Sequence, residues 1–284
     1  MSAGRQLIEP QEFDAFYAAY SKNVEGFYEA AYWRLCDSII QAHLRRHLDA
    51  APGERILDAG GGTGRWAAWC HRALGVRVTV ADRSHAMLAE AQRRVDGEGL
   101  AAAVELVHCD IQTTKALAPG GFVGAISTYN MLSFVDDPAA ALATIARALA
   151  PGRRALVMGQ GFANALSSKF ASGASPDELH ELAERRVVKW APHVPPLRVY
   201  SAAELRGLMD DAGLEVEAVY GVTSLVHPGP EDFTYPYLRM SATSTALERA
   251  DMFEAALALE LRLGGEPEWA DRGVNLLAVG RRVA

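Results

Sequence analysis

Two spacings of apolar residues alternate along the chain and predict where strands and helices form. From residue 51 onward, short continuous apolar runs alternate with stretches in which apolar residues return every three or four positions. Continuous apolar runs are typical of parallel strands covered on both faces. The predicted strands are Arg55–Asp58, Val76–Asp82, Val104–Asp110, Gly124–Asn130, Arg154–Gly159, Glu215–Val222 and Asn275–Arg281.

Helices are predicted between these strands, at residues 64–74, 84–95, 138–150 and 201–212. Two of them carry start signals. Asp137 places a side-chain acceptor ahead of a proline at the first helical position, and Ser201 with Glu204 forms a capping box. The alternation predicts a doubly wound α/β sheet whose ligand lies at the C-terminal ends of the strands.

Three segments lie outside this alternation. The first fifty residues are aromatic and helical in pattern, with helices expected at 11–20 and about 27–50. A further helix, 245–263, is expected in the longest insert. We therefore expect a single domain spanning residues 1–284. Its parts would be a helical lid (1–50), a core (51–160, 201–222 and 272–284) and two substrate-side inserts (161–200 and 223–271).

Charge and cysteine usage exclude some functions. The net charge is −7 and the basic residues are scattered, which disfavours a nucleic-acid partner. The chain lacks both a long apolar span and an apolar leader, so a membrane partner is not expected. The cysteines, Cys36, Cys70 and Cys109, have no metal-ligand spacing and indicate reduced thiols. We expect a cytoplasmic protein.

The run from Asp58 to Gly64 is the most informative. A predicted strand delivers Asp58 to a loop with glycines at 60, 61, 62 and 64, and a helix follows at once. A dinucleotide fingerprint that started at Gly60 would need a glycine where Arg65 stands. The spacing Asp-x-Gly-x-Gly-x-Gly instead resembles the first motif of class I S-adenosylmethionine-dependent methyltransferases. A carboxylate suits that ligand, because it carries an ammonium group and no phosphate.

Two further motifs extend this resemblance. Asp82 ends the second predicted strand, where a carboxylate can accept both ribose hydroxyls, although it would serve NAD equally well. In the family, residues in the positions of Met87, Asp110 and Ile111 contact the adenine. The resemblance implies the following cofactor-binding residues: Tyr20, Asp58, Ala59, Gly60, Gly62, Gly64, Asp82, Arg83, Met87, Asp110, Ile111 and Ser127.

The resemblance covers residues 50–160, and more weakly 201–222 and 274–283. It implies a Rossmann-like, doubly wound, seven-stranded sheet, mostly parallel, with an antiparallel last strand. Many relatives carry an aspartate just before the fourth strand, where this chain has Val123-Gly124; we interpret that position as structural. The implied activity is in-line methyl transfer from S-adenosylmethionine to O, N or C of a small molecule, with S-adenosylhomocysteine as product.

The acceptor side is less constrained by sequence. His193 and His227 stand in proline-rich loops and are candidate bases, since imidazole titrates near neutral pH. Tyr129 follows the fourth strand and is the third catalytic candidate, although a role in the pocket wall is favoured over chemistry. Tyr20 and Tyr28 are candidate lid residues. His43 and His47 have metal-pair spacing on a helix, but a solvated helix face is expected there. We predict no metal, and a monomer or homodimer.

Other functions stay open at this point. An NAD-dependent oxidoreductase is disfavoured by the glycine spacing, and an RNA or protein methyltransferase by the acidic balance. Intact cofactor motifs do not separate a methyltransferase from a relative that binds the same cofactor and catalyses other chemistry.

Overall fold

The computed structural model describes residues 9–22, 24–233 and 239–283. The strands in these ranges are β1 (Arg55–Ala59), β2 (Arg77–Asp82), β3 (Val104–His108), β4 (Phe122–Ser127), β5 (Leu149–Gly161), β6 (Val187–Val188), β7 (Leu197–Tyr200), β8 (Leu214–Val222) and β9 (Asn275–Arg282). The α-helices in the same ranges are α1 (Pro10–Tyr20), α2 (Val24–Phe27), α3 (Ala31–His47), α4 (Arg65–Leu74), α5 (His85–Gly97), α6 (Met131–Phe134), α7 (Pro138–Ala148), α8 (Phe162–Ala171), α9 (Pro176–Arg185), α10 (Ala202–Asp211), α11 (Ala242–Leu247), α12 (Ala250–Leu263) and α13 (Pro267–Ala270).

Seven strands form the body of the sheet in the order β3-β2-β1-β4-β5-β9-β8. Strands β1 to β5 pair in parallel, and β9 runs antiparallel to both of its neighbours. The prediction of a mostly parallel seven-stranded sheet with an antiparallel last strand is confirmed. Two short strands, β6 and β7, were not predicted; β7 pairs in parallel with the end of β5 and β6 pairs with β7.

Some predicted boundaries were wrong. Strand β4 ends at Ser127 instead of Asn130, because Tyr129 and Asn130 have left-handed φ angles of 48° and 73° that end an extended strand. The predicted helix over residues 27–50 corresponds to α3 alone, which begins at Ala31 and ends at His47. The predicted helix over 245–263 is divided into α11 and α12. The helix starts were predicted correctly: Asp137 and Ser201 cap α7 and α10 as expected.

Helices cover both faces of the sheet. Alternate residues of β1 point to opposite faces: Ile56 joins the core beneath α3 and α4, and Leu57 joins the core beneath α7 and α10. Strands buried on both faces explain the continuous apolar runs in the sequence. No α-helix of the described ranges is both long enough and apolar enough to span a bilayer.

The expectation of a solvated face on α3 was wrong for His43. Its side chain is buried, and its ring stacks on Tyr220 of β8 with 3.9 Å between centroids. Burial, and then the neighbouring His47, lowers the pKa of His43 to about 4. His47 is half-buried, and its Nε2 lies 3.0 Å from the Tyr220 hydroxyl. The helix packs on a strand more than 170 residues away, which local spacing did not reveal.

Candidate cofactor and acceptor site

The sheet reverses its strand order between β1 and β4, and this position defines the candidate site. Strand β1 pairs with β2 on one side and with β4 on the other, so the connections leave toward opposite edges. In open α/β sheets, ligands bind in the crevice at the carboxyl ends of the strands at such a point. Asp58, Asp82 and Ser127 all lie at this end of the sheet.

The loop from β1 to α4 uses its glycines for two purposes. Gly60, Gly62 and Gly64 all have positive φ, which side chains rarely adopt. A Cβ at Gly62 would also lie 2.9 Å from the Met87 methyl carbon, and one at Gly61 would collide with the Asp58 carboxylate. The loop therefore lies directly on Met87 and Asp58, two of the predicted cofactor-binding residues.

Asp58 is fully buried, and both of its carboxylate oxygens lack a hydrogen-bond partner among the residues that the structure describes. Burial, and then the charge of Asp82, raises the pKa of Asp58 to about 7. An unpaired buried carboxylate is costly, so its presence at the crevice indicates a cationic or donor ligand.

Other unpaired polar atoms cluster at the same place. Among the described residues, six buried side-chain polar atoms lack a partner. Five belong to the crevice: the two oxygens of Asp58, and one atom each of Trp66, Ser127 and Asn130. The sixth belongs to Ser224. Buried polar groups are nearly always hydrogen-bonded in folded proteins. Their concentration at the ends of β1 and β4 therefore indicates a polar ligand there.

Asp82 is held in place by the loop itself. Its Oδ2 accepts a hydrogen bond from the Gly62 N–H at 3.0 Å, and its Oδ1 accepts one from the Ser84 N–H at 2.8 Å. Burial raises the pKa of Asp82. Each oxygen keeps a further lone pair, so the carboxylate can still accept two ligand hydroxyls.

The remaining predicted residues surround these two carboxylates. Asp110 accepts hydrogen bonds from the backbone and side chain of Gln112, and Ile111 is buried beside it. The Arg83 guanidinium lies over the Phe13 ring, 3.3 Å from its centroid, and therefore faces the lid helix α1.

The N-terminal helices cover the crevice. Helix α1 packs on α5, and the Tyr17 ring lies 6.1 Å from that of Phe134. Burial raises the pKa of Tyr20, at the end of α1, to about 12. Glu25 of α2 accepts a hydrogen bond from Thr63 in the glycine loop. It also pairs with Arg94 at 2.9 Å and joins the cover to the loop.

Three aromatic side chains, Tyr28, Trp33 and Tyr129, line the crevice beyond the glycine loop; we call them the aromatic wall. Their ring centroids lie 4.9 to 6.0 Å apart, and Tyr129 also approaches Trp66 at 6.2 Å. The Tyr129 hydroxyl donates to Asp37, which is itself paired with Arg65. Burial raises the pKa of Tyr129 well above its usual value, so its hydroxyl stays protonated near neutral pH.

The two candidate histidines lie in different loops. His193 is exposed between β6 and β7. His227 follows β8; its Nδ1 lies 3.3 Å from the Asn164 amide nitrogen, and its Nε2 lies 3.4 Å from the Ser224 carbonyl oxygen. Both ring nitrogens of His227 are therefore engaged by neighbouring groups.

Sequence reasoning missed four side chains that shape the site: Glu25, Asp37, Arg65 and Trp66. Arg65 is the ion-pair partner of Asp37. Asp37 contacts a tyrosine 92 positions away, and Glu25 contacts Thr63 across 38 positions. Local patterns contain no signal for such pairs. Trp66 lies two residues after Gly64, so the sequence indicated that it lies near the loop. The sequence could not indicate that its indole N–H has no partner among the described residues.

The residues present fit S-adenosylmethionine. The unpaired oxygens of Asp58 match the ligand's ammonium donors, and the free lone pairs of Asp82 match ribose hydroxyls. A dinucleotide pyrophosphate would instead meet the negative charge of Asp58 when that carboxyl is ionised. The electrostatics of the loop favour the ammonium ligand.

Comparison with known proteins agrees with this geometry. A family model described as a methyltransferase domain matches residues 30–219. A ubiquinone/menaquinone biosynthesis C-methyltransferase, UbiE, from Vibrio parahaemolyticus is 28% identical over 183 residues, 61% of this chain and 69% of that protein. The O-methyltransferase rstn1 from Aspergillus nomiae is 24% identical over 218 residues, 72% of this chain and 87% of that protein.

A solved structure shares the fold. The geranyl diphosphate C-methyltransferase from Streptomyces coelicolor A3(2), in complex with Mg²⁺, geranyl diphosphate and S-adenosyl-L-homocysteine, superposes with a TM-score of 0.55 at 18% identity. It covers 87% of this chain and 79% of its own. The family match, the strand order and the carboxylates at the glycine loop agree. The chain belongs to the class I S-adenosylmethionine-dependent methyltransferases.

Proposed function

We propose that this enzyme transfers the methyl group of S-adenosylmethionine to O, N or C of a small-molecule acceptor at the end of β4. The observation that carries the proposal is the cover over the crevice. Helices α1 and α2 lie across the strand ends, joined to the sheet side through Glu25 and Phe13. A covered crevice favours an acceptor that is small enough to be enclosed, and it disfavours a protein or nucleic-acid chain.

In this proposal the cofactor spans the crevice from β3 to β4. Asp58 holds the ammonium group, Asp82 the ribose hydroxyls, and Met87, Asp110 and Ile111 the adenine. Tyr20 closes over the methionine end, and Ser127 and the loop glycines form the floor. The bound cofactor supplies an activated methyl group on its sulfonium.

The protein's own contribution is alignment and exclusion of water. In-line transfer needs the attacking atom held opposite the leaving sulfur, and a closed aromatic site achieves this without charged groups. A base is needed only when the acceptor loses a proton during attack. Tyr129 stays protonated and is better suited to walling the acceptor. His193 and His227 remain the candidate bases.

The relatives support a small acceptor. The two sequence relatives are named as C- and O-methyltransferases, and the structural neighbour was solved with geranyl diphosphate. Their acceptor atoms differ, so the proposal leaves the attacking atom open among O, N and C.

The test has two stages. Calorimetric titration with S-adenosylmethionine and, separately, with NAD should show binding of the former alone. The protein is then incubated with cell extract and methyl-labelled cofactor, and the extract is separated into small-molecule, protein and RNA fractions. We expect enzyme-dependent label among the small molecules. Label in protein or RNA would refute the proposal.

A matched pair of variants controls this experiment. Asp58→Asn should abolish most of the labelling, whereas Asp96→Asn removes an equal charge from the exposed end of α5 and should label as the unmodified enzyme does. Equal labelling by all three proteins would mean that the signal comes from another enzyme in the extract.

A further inference from the structure

We propose that the acceptor is a planar, conjugated molecule that stacks on the aromatic wall. This inference rests on the proposed small-molecule function and names the class of molecule. It follows from which parts of Tyr28, Trp33 and Tyr129 are already engaged and which remain for a ligand.

The three rings form one continuous aromatic surface. Tyr28 and Tyr129 lie 4.9 Å apart at an interplanar angle of 48°, and Trp33 meets them at 5.9 and 6.0 Å with steeper angles. Each of the three side chains is only half-buried. The wall therefore keeps part of its side-chain surface accessible.

The polar atoms of Trp33 and Tyr129 already have partners within the protein. The Tyr129 hydroxyl donates to Asp37, and the Trp33 Nε1–H donates to the Asp232 carbonyl at 2.8 Å. With these donors engaged, the two rings offer a ligand chiefly their apolar surfaces. The wall thus selects by stacking and not by hydrogen bonding.

The tethers are themselves rigid. Asp232 is fully buried, and its carboxylate accepts from the Gly229 N–H at 2.9 Å and from the Ser241 hydroxyl at 2.6 Å. The next residue, Phe233, extends the wall: its ring lies 5.4 Å from Trp33 and is 52% exposed. Fixed ring orientations lower the entropic cost of binding a flat partner.

The charge nearest the wall is neutralised. The Arg65 guanidinium lies 4.1 Å from the centroid of the Tyr28 ring, but it is paired with Asp37 in a half-buried contact and approaches Glu25 at 4.0 Å. Because Arg65 is already engaged by carboxylates, an anionic group on the acceptor finds no free partner in this cation. Flatness and conjugation are the properties that the wall can recognise.

The experiment compares two probes of one shape class, 2-naphthol and its saturated analogue decahydro-2-naphthol. Both carry one hydroxyl on a fused bicycle, and only the first has a π face. Each is titrated calorimetrically into the full chain saturated with S-adenosylhomocysteine, which cannot donate a methyl group. We expect 2-naphthol to bind about tenfold more tightly, since each aromatic pair contributes about 0.5–1.5 kcal/mol beyond its buried area.

Variants locate the effect. Trp33→Leu should weaken 2-naphthol binding about tenfold and change decahydro-2-naphthol binding less than about twofold. Tyr28→Leu serves as a second variant should Trp33→Leu fold poorly. Trp269→Leu is the matched control, because Trp269 lies on α13 and contacts Arg272 away from the wall. It should leave both affinities unchanged.

Each protein is first titrated with S-adenosylhomocysteine alone. This titration separates a failure of the planar-acceptor proposal from a failure of the proposed function. A protein that binds S-adenosylhomocysteine but binds the two probes equally, or neither, would overturn the planar acceptor and leave the proposed function standing. Label found in macromolecules in the extract experiment would instead overturn the proposed function itself.

Discussion

Two carboxylates in different regions of the molecule are both buried but differ in their hydrogen-bond partners. Asp58 at the end of β1 and Glu260 on α12 are both almost inaccessible to solvent. Glu260 accepts hydrogen bonds from three consecutive backbone N–H groups, those of Ser224, Leu225 and Val226, at 2.7 to 3.0 Å. Within the described ranges, neither oxygen of Asp58 has a hydrogen-bond partner.

The difference distinguishes a structural carboxylate from one kept for a ligand. The three bonds of Glu260 hold the loop after β8, so its desolvation is compensated within the fold. The desolvation of Asp58 is not, and its pKa is raised accordingly. An acidic residue at a strand end is therefore better judged by its missing partners than by its burial.

The largest effect is expected from removing Glu260. Glu260→Ala would leave three backbone N–H groups of the 224–226 loop without their acceptor. We expect the free energy of unfolding to fall by about 3–5 kcal/mol, because each buried unsatisfied group costs about 1–3 kcal/mol. Denaturant unfolding followed by tryptophan fluorescence measures this. Glu254→Ala, on the exposed face of the same helix, is the control and should change stability by less than about 0.5 kcal/mol.

Asp58→Asn should have the opposite effect: the fold keeps its stability, and the affinity for the ligand falls. The amide removes a buried charge, so stability at neutral pH should be equal or higher. The affinity for S-adenosylmethionine should fall about 10- to 100-fold, since a hydrogen bond to a charged group contributes about 1.5–3 kcal/mol. Calorimetry on the folded variant measures this. Unchanged affinity would show that Asp58 does not contact the ammonium group.

The pH dependence sharpens the comparison further. In the free protein the pKa of Asp58 is raised from 3.8 to about 7. Its contribution to stability is therefore full below pH 3.8 and is lost as pH rises toward 7. An ammonium ligand favours the ionised carboxylate, so binding should release a proton and tighten as pH rises toward 7. Titrations in buffers of different ionisation enthalpy measure the released proton, and Asp58→Asn should abolish it.

The smallest effect is expected from weakening the contacts of α2, which covers the crevice. Glu25→Gln weakens the contacts of α2 with Thr63 and Arg94. Because the Glu25 side chain is 42% exposed, solvent screening limits the change. We expect S-adenosylhomocysteine to dissociate about threefold faster, with little change in stability. Stopped-flow displacement measures the rate, and Glu29→Gln, exposed just beyond α2, is the control. Equal dissociation rates would show that the contact does not retain the ligand.

The sequence predicted the parts of the molecule that depend on neighbouring residues. The glycine loop with Asp58, and Asp82 at the end of β2, are local patterns, because one strand and one turn place them. The seven main strands were predicted for the same reason, because each is a short segment rich in apolar residues. The family match then confirmed the methyltransferase family that the motifs indicated.

The acceptor side was not predictable in the same way. The contact of Tyr129 with Asp37, the bond from Trp33 to Asp232 and the burial of His43 on Tyr220 each join positions far apart in the chain. Strand β6 has two residues, too few for any period to register. Such features arise from tertiary packing, which overrides local preference.

The position of β9 has a consequence for how the chain reaches its native state. This strand is made last among those described, yet it lies between β5 and β8 and pairs with both along most of its length. During synthesis, the edge of β5 that pairs with β9 stays unpaired until residues 275–282 have emerged. Strand β8 cannot join the sheet before then, because it pairs with β9. An open central edge is a site for pairing with other chains. Conditions that slow synthesis between the codons for β8 and those for β9 should therefore reduce the yield of folded enzyme more than equal delays earlier.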